Sequence, residues 1–163
     1  MAYGVPTTMS HGQQVLHPSR DELIATVQAL ADDGFVSVLD LCGVDYSTYG
    51  SRRDLPREIA AERFEIVVIM INHTAPGRIR LRVQVPGDDT VVPSLFDLFP
   101  GTENLEREAF DMFGIVFDGH PMLTRILMPE DWEGHPLRKD FAVGSVPVQF
   151  KLKGAKHGDP GTR

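Results

Sequence analysis

Two β-type runs joined by a short turn constrain this chain more than any other feature. Residues 78–85 alternate strictly, with Ile79, Leu81, Val83 and Val85 on one side and Arg78, Arg80, Arg82 and Gln84 on the other. Successive side chains of an extended backbone point to opposite faces, so a period of two marks a half-buried strand. Residues 64–71 are almost wholly apolar, the pattern of a central strand. Between them Pro76-Gly77 supplies turn chemistry, and the two strands are expected to pair as a hairpin.

Helix signals flank this hairpin. Ser19 and Glu22 have capping-box spacing, Leu23, Val27 and Leu30 recur at i, i+4 and i+7, and Gly34 stands where a left-handed residue ends a helix, which predicts a helix over 20–33. Residues 35–44 read as a buried strand, and 45–62 as a polar loop containing Pro56. Pro93 suits the first turn of a short helix through Phe99, Pro100-Gly101 breaks it, and a second helix is expected over 103–113, closed by Gly114. The remainder is rich in Gly and Pro, with short apolar pieces at 115–117, 125–128 and 146–152. Residues 1–15 have little apolar content and are expected to form a loose leader. The order predicts an α+β chain of two layers, with helices packed on a small mixed, mostly antiparallel sheet. One domain over 16–150 would then be followed by a basic arm over 151–163, where Lys151, Lys153, Lys156 and Arg163 face Asp159.

Composition narrows the chemistry. A single cysteine, Cys42, cannot form an internal disulfide or supply a thiolate cluster, so any iron–sulfur centre used by this protein is expected in a partner. No phosphate-binding glycine string of the dinucleotide or P-loop type occurs. The net charge of −7 opposes general nucleic-acid binding, and the stripe Arg78, Arg80, Arg82 has no interleaved aromatics for base stacking, so an acidic protein partner or simple solvation fits it better. The longest apolar run, 66–71, is far shorter than the roughly 20 residues that span a bilayer. Residues 1–14 show neither a basic n-region nor an apolar h-region, which predicts a cytoplasmic location.

Three groups of residues could carry chemistry. Glu108 and Asp111 on the second helix have the spacing of an acid–base pair. The plainer account is a ladder in which Arg107 pairs with Glu103 and Asp111 at i, i+4. Asp118-Gly119-His120-Pro121 and Glu133-Gly134-His135-Pro136 repeat fifteen positions apart, and two histidines with two carboxylates could hold a metal, as in a small hydrolase. The plainer account is that Gly-His-Pro is turn chemistry, with each histidine buried in a turn and bonded to a carboxylate. Finally, Arg138, Lys139 and Asp140 follow the acidic stretch Glu130-Asp131-Trp132-Glu133, where internal ion pairing is the default.

The string Glu106-Arg107-Glu108-Ala109-Phe110-Asp111-Met112-Phe113-Gly114-Ile115, continuing through Phe117-Asp118-Gly119-His120-Pro121 to Arg125-Ile126-Leu127, resembles the signature of the C-type subunit of the proton-translocating NADH-quinone oxidoreductase, respiratory complex I. Pro129-Glu130-Asp131-Trp132-Glu133-Gly134-His135-Pro136-Leu137-Arg138-Lys139-Asp140-Phe141 matches the same family in order and spacing. Gly43-Val44-Asp45-Tyr46, Arg63-Phe64-Glu65 and Pro93-Ser94-Leu95 extend the resemblance to about residues 13–150. Asn104 stands where the family commonly has Trp, and Thr124 where Lys, Arg or Pro is frequent.

The resemblance implies a subunit of the hydrophilic arm with no cofactor and no catalytic residue of its own. FMN, iron–sulfur clusters and quinone would belong to partner subunits, chiefly the quinone-site and iron–sulfur subunits, and the membrane would be met at its cytoplasmic face only through the complex. A related membrane-bound hydrogenase or a ferredoxin- or coenzyme-fed dehydrogenase carries an equivalent subunit. Glu106, Arg107, Glu108, Asp111, Gly114, His120, Pro121, Arg125, His135, Pro136, Arg138, Lys139 and Asp140 then become candidates for subunit contacts or for bracing the chain's own C-terminal wrap.

Overall fold

The computed structural model describes residues 1–49 and 54–142. Its strands are β1 (Thr7–Ser10), β2 (Gln13–Leu16), β3 (Ser37–Asp45), β4 (Phe64–Asn72), β5 (Gly77–Val85), β6 (Val91–Pro93) and β7 (Val116–Asp118), and its α-helices are α1 (Leu23–Asp32) and α2 (Glu103–Phe113). Five strands form one sheet in the order β1-β2-β5-β4-β3, antiparallel except for the β2–β5 pair, while β6 and β7 pair in parallel apart from it.

The hairpin forms as its pattern requires. Asn72 pairs with Gly77 across the turn, and the Asn72 side-chain oxygen accepts the N–H groups of Thr74 and Ala75, an Asx turn that sets the register. Phe64, Ile66, Val68 and Met70 of β4 lie beside Val85, Val83, Leu81 and Ile79 of β5 on the inner face and join a single core with Leu23, Val27 and Leu30 of α1 and Ala109, Met112 and Phe113 of α2. Each large aliphatic side chain buried there contributes about 1.5–3 kcal/mol.

Both helices end where the sequence punctuates them. At the start of α1, Ser19 and Glu22 bond reciprocally, with the Ser19 N–H donating to the Glu22 carboxylate at 2.9 Å and the Glu22 N–H to the Ser19 hydroxyl at 3.3 Å. Residues 20–22 are a turn, so regular helix starts three residues later than expected. At its end Gly34 takes φ +90°, and Phe35 and Gly34 donate to the Leu30 and Ala31 carbonyls, the paired bonds of a left-handed cap.

Elsewhere the structure corrects the sequence reading. Residues 1–15 are no loose leader: β1 and β2 extend the sheet, with Val5 and Val15 buried. Their polar residues suit an edge hairpin whose outer side meets water. In place of a buried strand over 35–44, β3 runs Ser37–Asp45 at the edge of the sheet with Asp40 and Cys42 exposed, and a register irregularity between Val38 and Asp40 leaves Leu39 half in solvent. Pro93 ends β6 instead of opening a helix, since its missing N–H is tolerated in a short strand that needs few ladder bonds. The apolar piece 125–128 is irregular backbone, because the N–H groups of Ile126, Leu127 and Met128 turn onto a buried carboxylate. The apolar piece 146–152 and the arm 151–163 lie outside the described residues.

Candidate functional site

α2 carries Glu103 and Glu106 in its first turn, which favour its positive N-terminus, but no basic residue in its last turn. The chain after β7 supplies what the C-terminus lacks. The last four carbonyls of any helix have no partner within it. Here Gly114 N–H donates to the Phe110 carbonyl at 2.8 Å, His135 Nδ1 to Asp111 at 3.0 Å, Leu137 N–H to Met112 at 3.1 Å and Arg138 Nε to Phe113 at 2.6 Å. The Gly-His-Pro-Leu-Arg string is thus a helix cap supplied from downstream in the chain. Gly114 permits the approach: at φ +71°, a Cβ there would lie 2.5 Å from both His135 Nε2 and Arg138 Nη2.

Asp111 organises the second half of the wrap. Fully buried, it accepts the N–H groups of Ile126, Leu127 and Met128 at 3.1, 2.8 and 2.8 Å and pairs with Arg125 Nη1 at 2.5 Å. Three successive N–H groups held by one carboxylate cannot also join a ladder. Burial pushes the Asp111 pKa up, but the N–H of Met128, the Arg125 guanidinium and the other two N–H groups outweigh it and hold the carboxyl below its ordinary value. Arg125 Nη2 donates to the Trp132 and Gly134 carbonyls.

The expected i, i+4 ladder through Arg107 is not formed. Asp111 is taken by Arg125, and Arg107 donates to the Thr124 and Arg125 carbonyls, the Thr124 hydroxyl and the Asn104 side-chain oxygen. Asn104 and Thr124, the two departures from the family pattern, therefore meet on one guanidinium. Glu108 faces solvent while Asp111 is sealed, so they make no acid–base pair. Glu106, also fully buried, accepts the Leu95 N–H at 2.7 Å and the hydroxyls of Ser94 and Thr102 at 2.6 and 3.0 Å, tying α2 to the loop after β6.

The histidines sit at opposite ends of α2, and each is bonded to a backbone carbonyl of the helix and not, as expected, to a carboxylate. His120 Nε2 donates to the Glu103 carbonyl and its Nδ1 accepts the Met122 N–H, whereas His135 binds the Asp111 carbonyl. Eight helical residues separate those carbonyls by about 12 Å, so the two motifs do not converge on a shared metal. Pro121 is exposed and Pro136 half-buried beside their histidines. Among the described residues no three His, Cys, Asp or Glu side chains are grouped to hold a metal ion. Burial lowers the His135 pKa, offset in part by its bond to the Asp111 carbonyl.

Asp45, Arg63 and Glu65 stand in the family strings with no part that the sequence assigns. Asp45, buried in β3, accepts Arg63 at 3.1 Å and the Lys139 N–H at 2.9 Å, and Arg63 reaches Asp140 at 2.9 Å, pinning the wrap to the sheet. Arg63 and Arg138 lie over the Phe64 ring, 4.7 and 5.1 Å from its centroid. Burial raises the Asp45 pKa, yet Arg63 and the N–H groups of Lys139 and Ser47 bring it far below its ordinary value. Glu65 takes Arg82 at 2.8 and 2.9 Å and also accepts from Gln84. The sequence signal for this last pair is a lone acid in an apolar strand, one alternation from an arginine across the hairpin.

These features define a small α+β chain in which buried charges fasten a C-terminal wrap to one helix and one sheet. The family described as respiratory-chain NADH dehydrogenase, 30 Kd subunit, matches residues 16–146, and the chain belongs to it. The C-type subunit of NADH-quinone oxidoreductase from Saccharopolyspora erythraea is 41% identical over 147 residues, covering 88% of this chain and 55% of that protein, and its counterpart from a Roseiflexus species is 48% identical over 133 residues, covering 80% and 70%. The chain thus spans little more than half the length of several relatives that it matches. Among solved structures, the trypsin-resistant fragment (1-134) of Nqo5 superposes with a TM-score of 0.65 at 32% identity, over 75% of this chain and 92% of the fragment. The fold also recurs in a chain of an archaeal membrane-bound sulfane sulfur reductase, with a TM-score of 0.70 at 21% identity, over 87% of this chain and 79% of that one.

Proposed function

We propose that this chain is a non-catalytic scaffold subunit in the hydrophilic arm of an NADH-quinone oxidoreductase. In such an assembly electrons pass from NADH through FMN and iron–sulfur clusters to quinone, coupled to proton translocation, and the carriers reside in other subunits. The observation that carries this reading is the state of the signature itself: Glu106 and Asp111, its two buried acids, accept three and four hydrogen bonds from this same chain. A carboxylate sealed from solvent and held in place by its own chain is not positioned to meet a substrate. No helix among the described residues is long and apolar enough to cross a membrane, which suits peripheral attachment through partners at the cytoplasmic face. Co-purification of a tagged chain from native membranes tests the proposal. It predicts recovery with the quinone-site and iron–sulfur subunits of an NADH-oxidising complex; recovery with a hydrogenase catalytic subunit, or with no respiratory subunit, would overturn it. The purified chain alone is expected to show no flavin or cluster absorbance and no stoichiometric metal.

A further inference from the structure

The sheet has a second face, turned away from the helices. On it Val67 and Ile69 of β4 lie beside Arg82 and Arg80 of β5, and Arg80 in turn lies beside Val15 of β2. These side chains floor a concavity of about 320 Å³, walled by Thr8 and Ser10 of β1 and by Tyr46 and Asp54. The three arginines of the stripe differ in their partners. Arg82 is consumed by the Glu65 carboxylate and the Asp54 carbonyl. Arg80, half-buried, and Arg78, exposed, make no side-chain hydrogen bond or ion pair among the described residues. The acids on this face are already spoken for or stand at its margin: Glu65 is paired with Arg82, Asp54 lines the far wall, and Asp40 lies on β3, two strands from Arg80.

A guanidinium held half out of water over aliphatic side chains, with no counter-charge among the described residues, is an unusual resting place on an acidic chain. Its chemistry is met by a carboxylate, which a planar fork can bind bidentately, flanked by apolar groups that cover Val67 and Ile69. We propose that this outer face, centred on Arg80, Val67 and Ile69, is the docking surface for a neighbouring subunit that presents a carboxylate side chain among aliphatic ones. The inference rests on the scaffold reading, because it takes the partner to be a subunit of the same assembly. A protein segment is favoured over nucleic acid by the chain's net charge of −7 and by the aliphatic floor.

The chain carries its own reporter. Cys42, its single cysteine, is exposed and lies in register with Val67, one strand further along the same face. Strands are about 4.8 Å apart, so its thiol stands within about 10 Å of the Arg82 row. The experiment compares the wild-type chain with Arg80→Glu, Arg80→Gln and the control Arg57→Glu, each tagged and expressed in the native host. Recovery with the solubilised oxidoreductase is followed at low and high salt, and maleimide labelling of Cys42 is followed in the free chain and in the complex. Arg80→Glu is expected to lower recovery on the order of ten-fold and Arg80→Gln less, both with thermal melting close to wild type, while Arg57→Glu assembles normally. Cys42 is expected to react in the free chain and to be shielded in the complex. Wild-type recovery of both Arg80 variants, or equal labelling of Cys42 free and assembled, would overturn the proposal. If Arg80→Glu fails to fold, the milder Arg80→Gln and the labelling of the wild-type chain decide it. Failure of the wild-type chain to recover with any respiratory subunit would count against the scaffold reading instead, and so is separable.

Discussion

At Asp111 one carboxylate oxygen receives three consecutive backbone N–H groups while the other meets a guanidinium. Asp111→Asn would leave Arg125, whose side chain is 16% exposed, without a counter-charge and replace an acceptor by an NH₂ that clashes with donors. Breaking a buried pair of this kind costs about 3–5 kcal/mol, so the urea midpoint is expected to fall far more than for Glu108→Gln on the solvent side of the same helix. The pKa directions also fix an acid response. His135 is held below its ordinary value of 6.5 and Asp111 below 3.8, so in each case the unfolded chain takes up protons first as the pH falls. Stability is therefore full above those ordinary values and is lost in two legs, one beginning below 6.5 and one below 3.8. Urea midpoints measured between about pH 8 and about pH 3 should show both legs, and His135→Gln should shrink the first, to which buried His17 also contributes, while leaving the second.

At the scale of the element, α2 is a helix whose C-terminus is completed by another part of the chain. Gly114→Ala would force a side chain into the left-handed region and against His135 and Arg138, displacing two of the capping donors. Strain of about 1–3 kcal/mol is expected, against little change for Gly101→Ala, which has open space and no positive φ. Denaturation of the two variants side by side checks this. The limits of both α2 and the hairpin were legible in the sequence because their determinants are local: a left-handed glycine, a period of two, a turn of fixed chemistry. What was not legible depends on contacts far apart in the chain. Arg107 has carboxylates at helical spacing and ignores them for Thr124 and Arg125, and the leader reads as loose until β2 is seen beside β5. The repeated Gly-His-Pro leaves a shared metal site open as an alternative because the sequence does not reveal that a helix of eleven residues stands between its halves.

Over the whole molecule, the wrap, α2 and the β3–β4 edge form one fastened unit through Asp45, Arg63, Glu106 and Asp111, while β1 and β2 close the other side of the sheet. Deleting residues 1–12 would uncover β2 and remove buried Val5, so the truncated chain is expected to lose cooperativity in thermal melting and to aggregate through the freed edge. The charged signature, on this reading, holds the chain together and takes no part in electron or proton transfer. Its most direct test is NADH–quinone turnover per assembled complex carrying Arg125→Lys or Asp111→Asn, set beside the melting temperature and the yield of that complex. Melting temperature and yield are expected to fall, with turnover per assembled complex equal to wild type. Full assembly and unchanged melting together with lost turnover would contradict the bracing role.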